Sequence, residues 1–266
     1  RVLKNPKVDK FVVTGQTDEN PYLNRKRLEQ WKGELSETQY KMRFLGEVGS
    51  DEGLVYNTYR PEVHHISKSE FQAICDDRAD VLERYKSIDL GFSAATPTAC
   101  GWYAVDYEKP AVYRYKEYYA PGAKQAVHIE AIAKMSEGET YEGVFMDPNN
   151  ASVMDLYIDA FPEEGITGWP KSKILDGIGL VQSAFMHTEQ RKPVLYIVEG
   201  SSPSFEEEID SYEWHESGDK PKPRQADHAL DELKGFFCAN PGLVLDVEEE
   251  EVLPPSAPWD PKPYKE

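Results

Sequence analysis

Asp89, Asp147 and the group Asp227, His228 and Asp231 are the residues whose types and settings best suit chemistry. Asp89 lies in Ser87-Ile88-Asp89-Leu90-Gly91-Phe92, and Asp147 closes Val144-Phe145-Met146-Asp147-Pro148. Both stand where a short apolar run ends, as at the end of a β-strand. Asp227-His228-Ala229-Leu230-Asp231-Glu232 puts two aspartates and a histidine within five residues of a predicted helix. Positions one turn apart (227 and 231) and three apart (228 and 231) share a helix face. Carboxylates this distant in sequence meet only where a sheet and a helix bring them together. Such a set of hard oxygen ligands suits Mg²⁺ or Mn²⁺ rather than zinc. A carboxylate-held pair of these ions is an apparatus for hydrolysing a phosphodiester.

The elements that must carry these residues show in the pattern. Strands are predicted at 86–89, 98–106, 111–119, 141–147 and 194–198. Helices are predicted at 68–74, 125–135, 152–160, 173–188, 205–212 and 227–237. The second and third strands should pair as a hairpin through Tyr107-Glu108-Lys109-Pro110. Ser152 is the expected N-cap of its helix, and Ile174, Ile178, Val181 and Phe185 form the expected buried stripe of theirs. Strands in a row followed by β–α alternation predict an α/β fold, a mixed central sheet flanked by helices.

Residues 1–66 read as an N-terminal helical and extended linker segment. It holds a possible strand at 8–14, helices at 23–35 and 37–45, and extended chain at 53–56 and 64–66. Residues 67–245 form the α/β unit. Residues 246–266 are acidic and Pro-rich, a composition that predicts a disordered tail.

Composition narrows the classes. The chain has 266 residues, and Cys75, Cys100 and Cys238 show no CxxC spacing. That argues against a disulfide framework and a zinc site and fits a reducing compartment. No apolar run approaches the roughly 20 residues of a membrane span, and no signal-peptide pattern opens the chain. It begins at Arg1 without an initiator Met, as expected of a piece of a longer protein. The formal net charge is -18 and the pI about 4.8. Such charge opposes nucleic-acid binding. However, the acidic residues gather in runs such as Glu206-Glu207-Glu208 and Glu248-Glu249-Glu250-Glu251, read as solvated surface or tail. A metal-carboxylate site is itself acidic until its cations bind. The piece alone should therefore bind DNA weakly, with strong salt dependence, and a basic partner would supply the grip.

The motifs together resemble a known family. Ile88-Asp89-Leu90-Gly91-Phe92-Ser93 with Thr96-Pro97-Thr98-Ala99, then Phe145-Met146-Asp147, then Asp227-His228-Ala229-Leu230-Asp231 resemble the ribonuclease H-like nuclease domain of the large terminase subunit of tailed bacteriophages. Thr17-Asp18-Glu19-Asn20-Pro21-Tyr22-Leu23, Arg43-Phe44-Leu45-Gly46-Glu47-Val48 and Gly53-Leu54-Val55-Tyr56 resemble the end of that family's motor domain and its linker. The likeness runs from about residue 9 to about residue 239. The family's motor carries a P-loop, and GxxxxGK[ST] does not occur in this sequence; Gly177-Ile178-Gly179 lacks the third glycine of a dinucleotide fingerprint. The chain is therefore not expected to hydrolyse ATP unaided. Glu232-Leu233-Lys234-Gly235 stands where the family often continues Ala-Leu-Arg-Tyr.

The resemblance implies an endonuclease that cuts concatemeric viral DNA as capsids fill, in the host cytoplasm. It also implies a small terminase subunit, a portal and a motor ATPase domain as partners. Asp89, Asp147, Asp231 and His228 are the candidate catalytic residues. Asp89, Asp147, Asp231 and Asp227 are the candidate ligands of two ions roughly 3.5–4 Å apart. Contacts to double-stranded DNA should go to the phosphate backbone, with Lys171, Lys173, Arg114 and Lys116 as candidates. Arg114 and Lys116 alternate with Tyr113 and Tyr115 along a strand. Each residue has a plainer reading. Asp89 could cap the following loop, Asp147 could serve a turn before Pro148-Asn149-Asn150, and Asp227 could be a helix N-cap. His228 could orient Asp231, contact the scissile phosphate, ligate weakly or be structural. Lys171 and Lys173 could be a solvated helix start. His64, His65, His128, His187 and His215 show no ligand spacing. Two alternatives stay open: another ribonuclease H-like enzyme, such as a resolvase, a transposase-like strand transferase or a ribonuclease H, and a non-catalytic acidic docking domain.

Overall fold

The computed structural model describes residues 53–93, 95–188 and 191–245. In chain order its elements are α1 (Pro61–His64), β1 (His65–Ile66), α2 (Lys68–Asp77), β2 (Leu82–Asp89), β3 (Pro97–Asp106), β4 (Ala111–Pro121) and α3 (Gln125–Met135). Then come β5 (Gly143–Met146), α4 (Ala151–Ala160), β6 (Ile166–Gly168), α5 (Ile174–Phe185), β7 (Leu195–Val198), α6 (Pro203–Ser211), α7 (His228–Ala239) and a 3-10 turn at Pro241–Leu243. The expected strand at 8–14, helices at 23–35 and 37–45, and tail beyond 246 lie outside the described residues.

The sheet runs β1-β7-β4-β3-β2-β5-β6. β2, β3 and β4 are an antiparallel meander, while β5, β6, β7 and β1 add in parallel. This is the mixed sheet the element order predicts. β3 is buried along its whole length, as its apolar and aromatic run Ala99-Cys100-Gly101-Trp102-Tyr103-Ala104-Val105 demands. At the hairpin, Asp106 Oδ1 accepts from the amides of Glu108 and Lys109 at 3.0 Å, closing the turn.

Side-chain alternation sends β3 into two cores. Tyr103 and Val105 join one core with Val112, Ile178, Val181, Phe185, Leu230, Leu233 and Phe236, covered by α5, α6 and α7. Cys100 and Trp102 join the other with Ile88, Ile132, Val144, Met146 and Tyr157, covered by α3 and α4. Residues 53–66 pack onto the first core through Val55, Tyr56 and Tyr59. The His65–Ile66 stretch, read as extended linker, is a strand on the sheet edge beside β7.

Three local expectations are corrected. α4 starts at Ala151, capped by Asn150, whose Oδ1 accepts from Val153 N at 3.2 Å, and not by Ser152. Ile174 opens α5 57% exposed, so the buried stripe begins at Ile178. Glu208 is 2% exposed despite its place in an acidic run, because it follows the buried Phe205 by three residues and precedes the buried Ile209. Among the described residues no helix is long and apolar enough to cross a membrane.

Candidate active site

The sheet itself brings the first two carboxylates together. β2 and β5 are parallel neighbours in the register Ser87↔Phe145 and Ile88↔Met146. Asp89 and Asp147 are the next residues along, and the amide of Asp147 donates to the carbonyl of Ile88 at 3.1 Å. Asp89 shares the phase of Ser87, whose hydroxyl donates to the carbonyl of Glu232 on α7 at 2.6 Å. Asp89 therefore faces α7. The chain leaves β2 through Gly91, where a Cβ would collide with the backbone of Thr96 and Pro97. That close approach anchors the strand end that presents Asp89.

α7 brings the third carboxylate. Its N-terminus meets the end of β2, so His228 Nδ1 donates to Asp89 Oδ2 at 2.7 Å. Orienting Asp231 was one of the readings open to His228; its side-chain partner is Asp89 instead. Asp227 occupies the N-cap position of α7 without a side-chain cap bond. The cap comes from Glu208 on α6, whose Oε2 accepts from the amides of Ala229 and Leu230 at 2.8 and 3.1 Å. Glu208 Oε1 accepts from the Tyr119 hydroxyl at 2.7 Å. A buried carboxylate at a helix N-terminus satisfies orphan amides and meets the positive end of the dipole. Sequence reasoning missed Glu208; the buried residues at 205 and 209 were the available signal.

Asp89, Asp147 and Asp231 line one cavity of about 440 Å³, together with Trp169, Lys171, Ser172, Lys173, Ile174, Lys234 and Cys238. Trp169 lies against Gly235 so closely that a Cβ there would enter its ring. Each carboxylate also has a partner within the protein. Asp89 has His228, Asp231 Oδ1 meets the Lys234 ammonium in an ion pair without hydrogen-bonding geometry, and Asp147 has Asn149 through its amide and side chain. Asp147 thus serves the turn anticipated for it and faces the cavity at once.

The electrostatics are those of crowded carboxylates. Burial pushes the Asp89 carboxyl above its ordinary range, the His228 bond opposes that, and Asp231 and Asp147 add to the rise. His228 is held protonated to higher pH, chiefly by its bond to Asp89. Burial first, and then Asp231 one turn on, push Asp227 from 3.8 up to about 6. The folded protein binds that proton more tightly than the unfolded chain, so this contribution to stability falls as pH rises from 3.8 to about 6. Asp227→Asn is therefore expected to be more stable than the parent near pH 7, by on the order of 1–2 kcal/mol, with the gap closing near pH 4. Thermal melts in EDTA at both pH values check this. A variant less stable near pH 7 would show that the Asp227 charge supports the fold.

One expected DNA-binding residue is corrected, and a second stands apart from the cavity. Arg114 is fully buried. It pairs with Glu232 and Glu117 and donates to Ser202 Oγ at 3.0 Å and to the Tyr103 hydroxyl at 2.7 Å. Lys116 is turned away from the cavity, its ammonium donating to the Met135 carbonyl at 2.6 Å and lying 5.5 Å from the Trp102 ring centroid. A bulge between the partners of Trp102 and Tyr103 breaks the alternation, so Arg114 sits opposite Tyr103 and Lys116 opposite Trp102. Lys171 and Lys173 are exposed on the cavity wall.

The donor set fits a hard divalent cation in kind. Three carboxylates face one cavity, and two of them raise the proton affinity of the third, a repulsion that a cation relieves. Among the described residues no three His, Cys, Asp or Glu side chains stand close enough to hold an ion as they are. Side-chain rotation would have to bring the carboxylates inward.

No protein-family model matches the chain, and no curated protein matches it. Solved structures do. The large terminase of a thermophilic bacteriophage superposes with a TM-score of 0.65 at 21% identity, over 83% of this chain and 53% of that one. The same terminase in complex with ADP superposes with a TM-score of 0.64 at 24% identity, over 82% and 52%. The P22 large terminase nuclease domain superposes with a TM-score of 0.54 at 14% identity, over 73% of this chain and 95% of that one. The chain spans about half the length of the thermophilic phage's terminase. It has the α/β fold found in large terminase nuclease domains.

Proposed function

We propose that this chain, built on the fold shared with large terminase nuclease domains, is a divalent-metal-dependent DNA endonuclease of viral genome packaging. One observation carries the reading: two adjacent strand ends and one helix deliver Asp89, Asp147 and Asp231 to a single cavity. These carboxylates would hold Mg²⁺ or Mn²⁺, with Asp227 one turn from Asp231. Bound as a pair, such ions lower the pKa of an attacking water and stabilise the leaving oxygen.

The chain's own residues do the rest. His228 fixes the rotation of Asp89 through Oδ2. Glu208 fixes the start of α7, and with it both His228 and Asp231. Lys171 and Lys173, exposed on the cavity wall, suit phosphate contacts, which position a duplex without reading its sequence. In this reading residues 53–245 are the nuclease unit, since residues 53–66 pack on its core and add a strand to its sheet, and a motor ATPase, a small terminase subunit and a portal complete a packaging machine in the host cytoplasm.

The test is nicking of supercoiled plasmid by the purified chain at low salt. Cutting is expected with Mn²⁺ or Mg²⁺ and should stop on adding EDTA. Absence of cutting with either metal, or cutting that survives EDTA, would overturn the proposal. Preference for branched DNA or an RNA–DNA hybrid over duplex DNA would move the assignment to another ribonuclease H-like nuclease.

A further inference from the structure

Lys234 is a buried cation inside the acidic site. Its side chain is 9% exposed and pairs with Asp231, three residues earlier on α7. Its ammonium lies 5.8 Å from the centroid of the Tyr212 ring, and Tyr212 in turn hydrogen-bonds Asp227 at 3.5 Å. Its stem faces Gly177 on α5, where a Cβ would stand 3.6 Å from Lys234 Cβ. Lys171 and Lys173 share the cavity but are exposed. Lys234 alone of these three lysines is buried and paired with one of the clustered carboxylates.

We infer that Lys234 is a built-in counter-ion that competes with the divalent cation for Asp231. This rests on the metal-site reading proposed above. With the ammonium on Asp231, the repulsion among the three carboxylates is partly neutralised. A cation drawing Asp231 inward must displace the ammonium, and the two positive charges repel each other. Lys234 therefore weakens metal binding. An anionic phosphate entering the cavity gives the displaced ammonium a new partner, so metal and polyanion bind with positive coupling. That coupling is reciprocal by linkage. Lys234 is a positioning residue that tunes occupancy.

The test compares the parent chain with Lys234→Met, which keeps the stem and removes the charge. Free Mn²⁺ is followed by electron paramagnetic resonance, with and without inorganic phosphate, and Asp89→Asn serves as the reference for a broken site. Lys234→Met should bind Mn²⁺ about tenfold more tightly or more, and phosphate should tighten Mn²⁺ binding in the parent more than in the variant. Lys234→Arg, which restores the charge, should return toward the parent. Equal or weaker Mn²⁺ binding by a folded Lys234→Met, with Asp89→Asn still defective, would overturn the competition and leave the metal site standing. Parent binding that Asp89→Asn leaves unchanged would overturn the metal site and this inference with it.

Discussion

Asp89→Asn is expected to fold and to melt at or above the parent temperature while losing metal-dependent cleavage by roughly a thousandfold or more. The two halves have separate causes. Asp89 is 7% exposed, and burial disfavours its charge, with Asp231 and Asp147 adding to the effect. A neutral amide removes that unfavourable term, and its carbonyl oxygen still accepts from His228 Nδ1. Stability is thus kept or raised. Function loses the one carboxylate that stands at the end of β2 between β5 and α7. Asn at this position retains shape and a single acceptor but no charge with which to hold a dication. Plasmid nicking and a thermal melt on the same preparation measure both halves. A folded variant cutting near the parental rate would remove Asp89 from the mechanism. Should the variant fail to fold, Asp147→Asn carries the same expected loss of cleavage from the neighbouring strand end, where the carboxylate is half-buried.

The parts of this site that were legible in the sequence are those set by local pattern. A short apolar run ending in Asp predicts a strand end, and the element order predicts a mixed sheet but not the order of its strands. The parallel pairing of β2 with β5 is what sets Asp89 beside Asp147. The helix predicted at 227–237 is present as α7, with Asp227 at its N-cap position. What escaped is whatever depends on phase across the sheet. His228 bonds Asp89 rather than Asp231 because β2 turns residues 85, 87 and 89 toward α7, which no spacing within the helix reveals. Arg114 and Lys116 lie two apart and in an unbroken strand would share a face, but one bulge turns them to opposite faces of the sheet. Glu206-Glu207-Glu208 looked like solvated charge, yet the helix rotates its last member beneath α7 as a cap. Lys234 seemed a departure from a family pattern in the sequence, and the structure places its charge on Asp231.

The network that Arg114 anchors should dominate stability. Arg114→Met is expected to destabilise the protein by about 3–5 kcal/mol, since removing one partner strands the other charge in a low-dielectric interior. For a domain of this size that corresponds to a fall in melting temperature of roughly 10 °C. Glu232, fully buried, would lose the guanidinium and keep only the Tyr103 hydroxyl, at 2.7 Å. Glu117 would lose it too, while still accepting from the amides of Ser204 and Phe205 at the start of α6. Gly101 leaves the space in which these groups meet, because a Cβ there would strike Arg114, Glu232 and the Tyr103 hydroxyl. The network clamps β4 to α7 one residue beyond Asp231, so its loss reaches the site. A folded Arg114→Met should also bind Mn²⁺ more weakly, through a displaced Asp231 rather than an altered ligand. The double variant Arg114→Met with Glu232→Leu should recover a large part of the lost stability, since it leaves no unpaired charge at position 232. If the single variant melts with the parent, the ion pairs are not what holds α7. If the double variant is as unstable as the sum of the singles, the two side chains are not coupled, and the packing of Phe236 on Tyr103, with ring centroids 4.1 Å apart, is left to carry the helix.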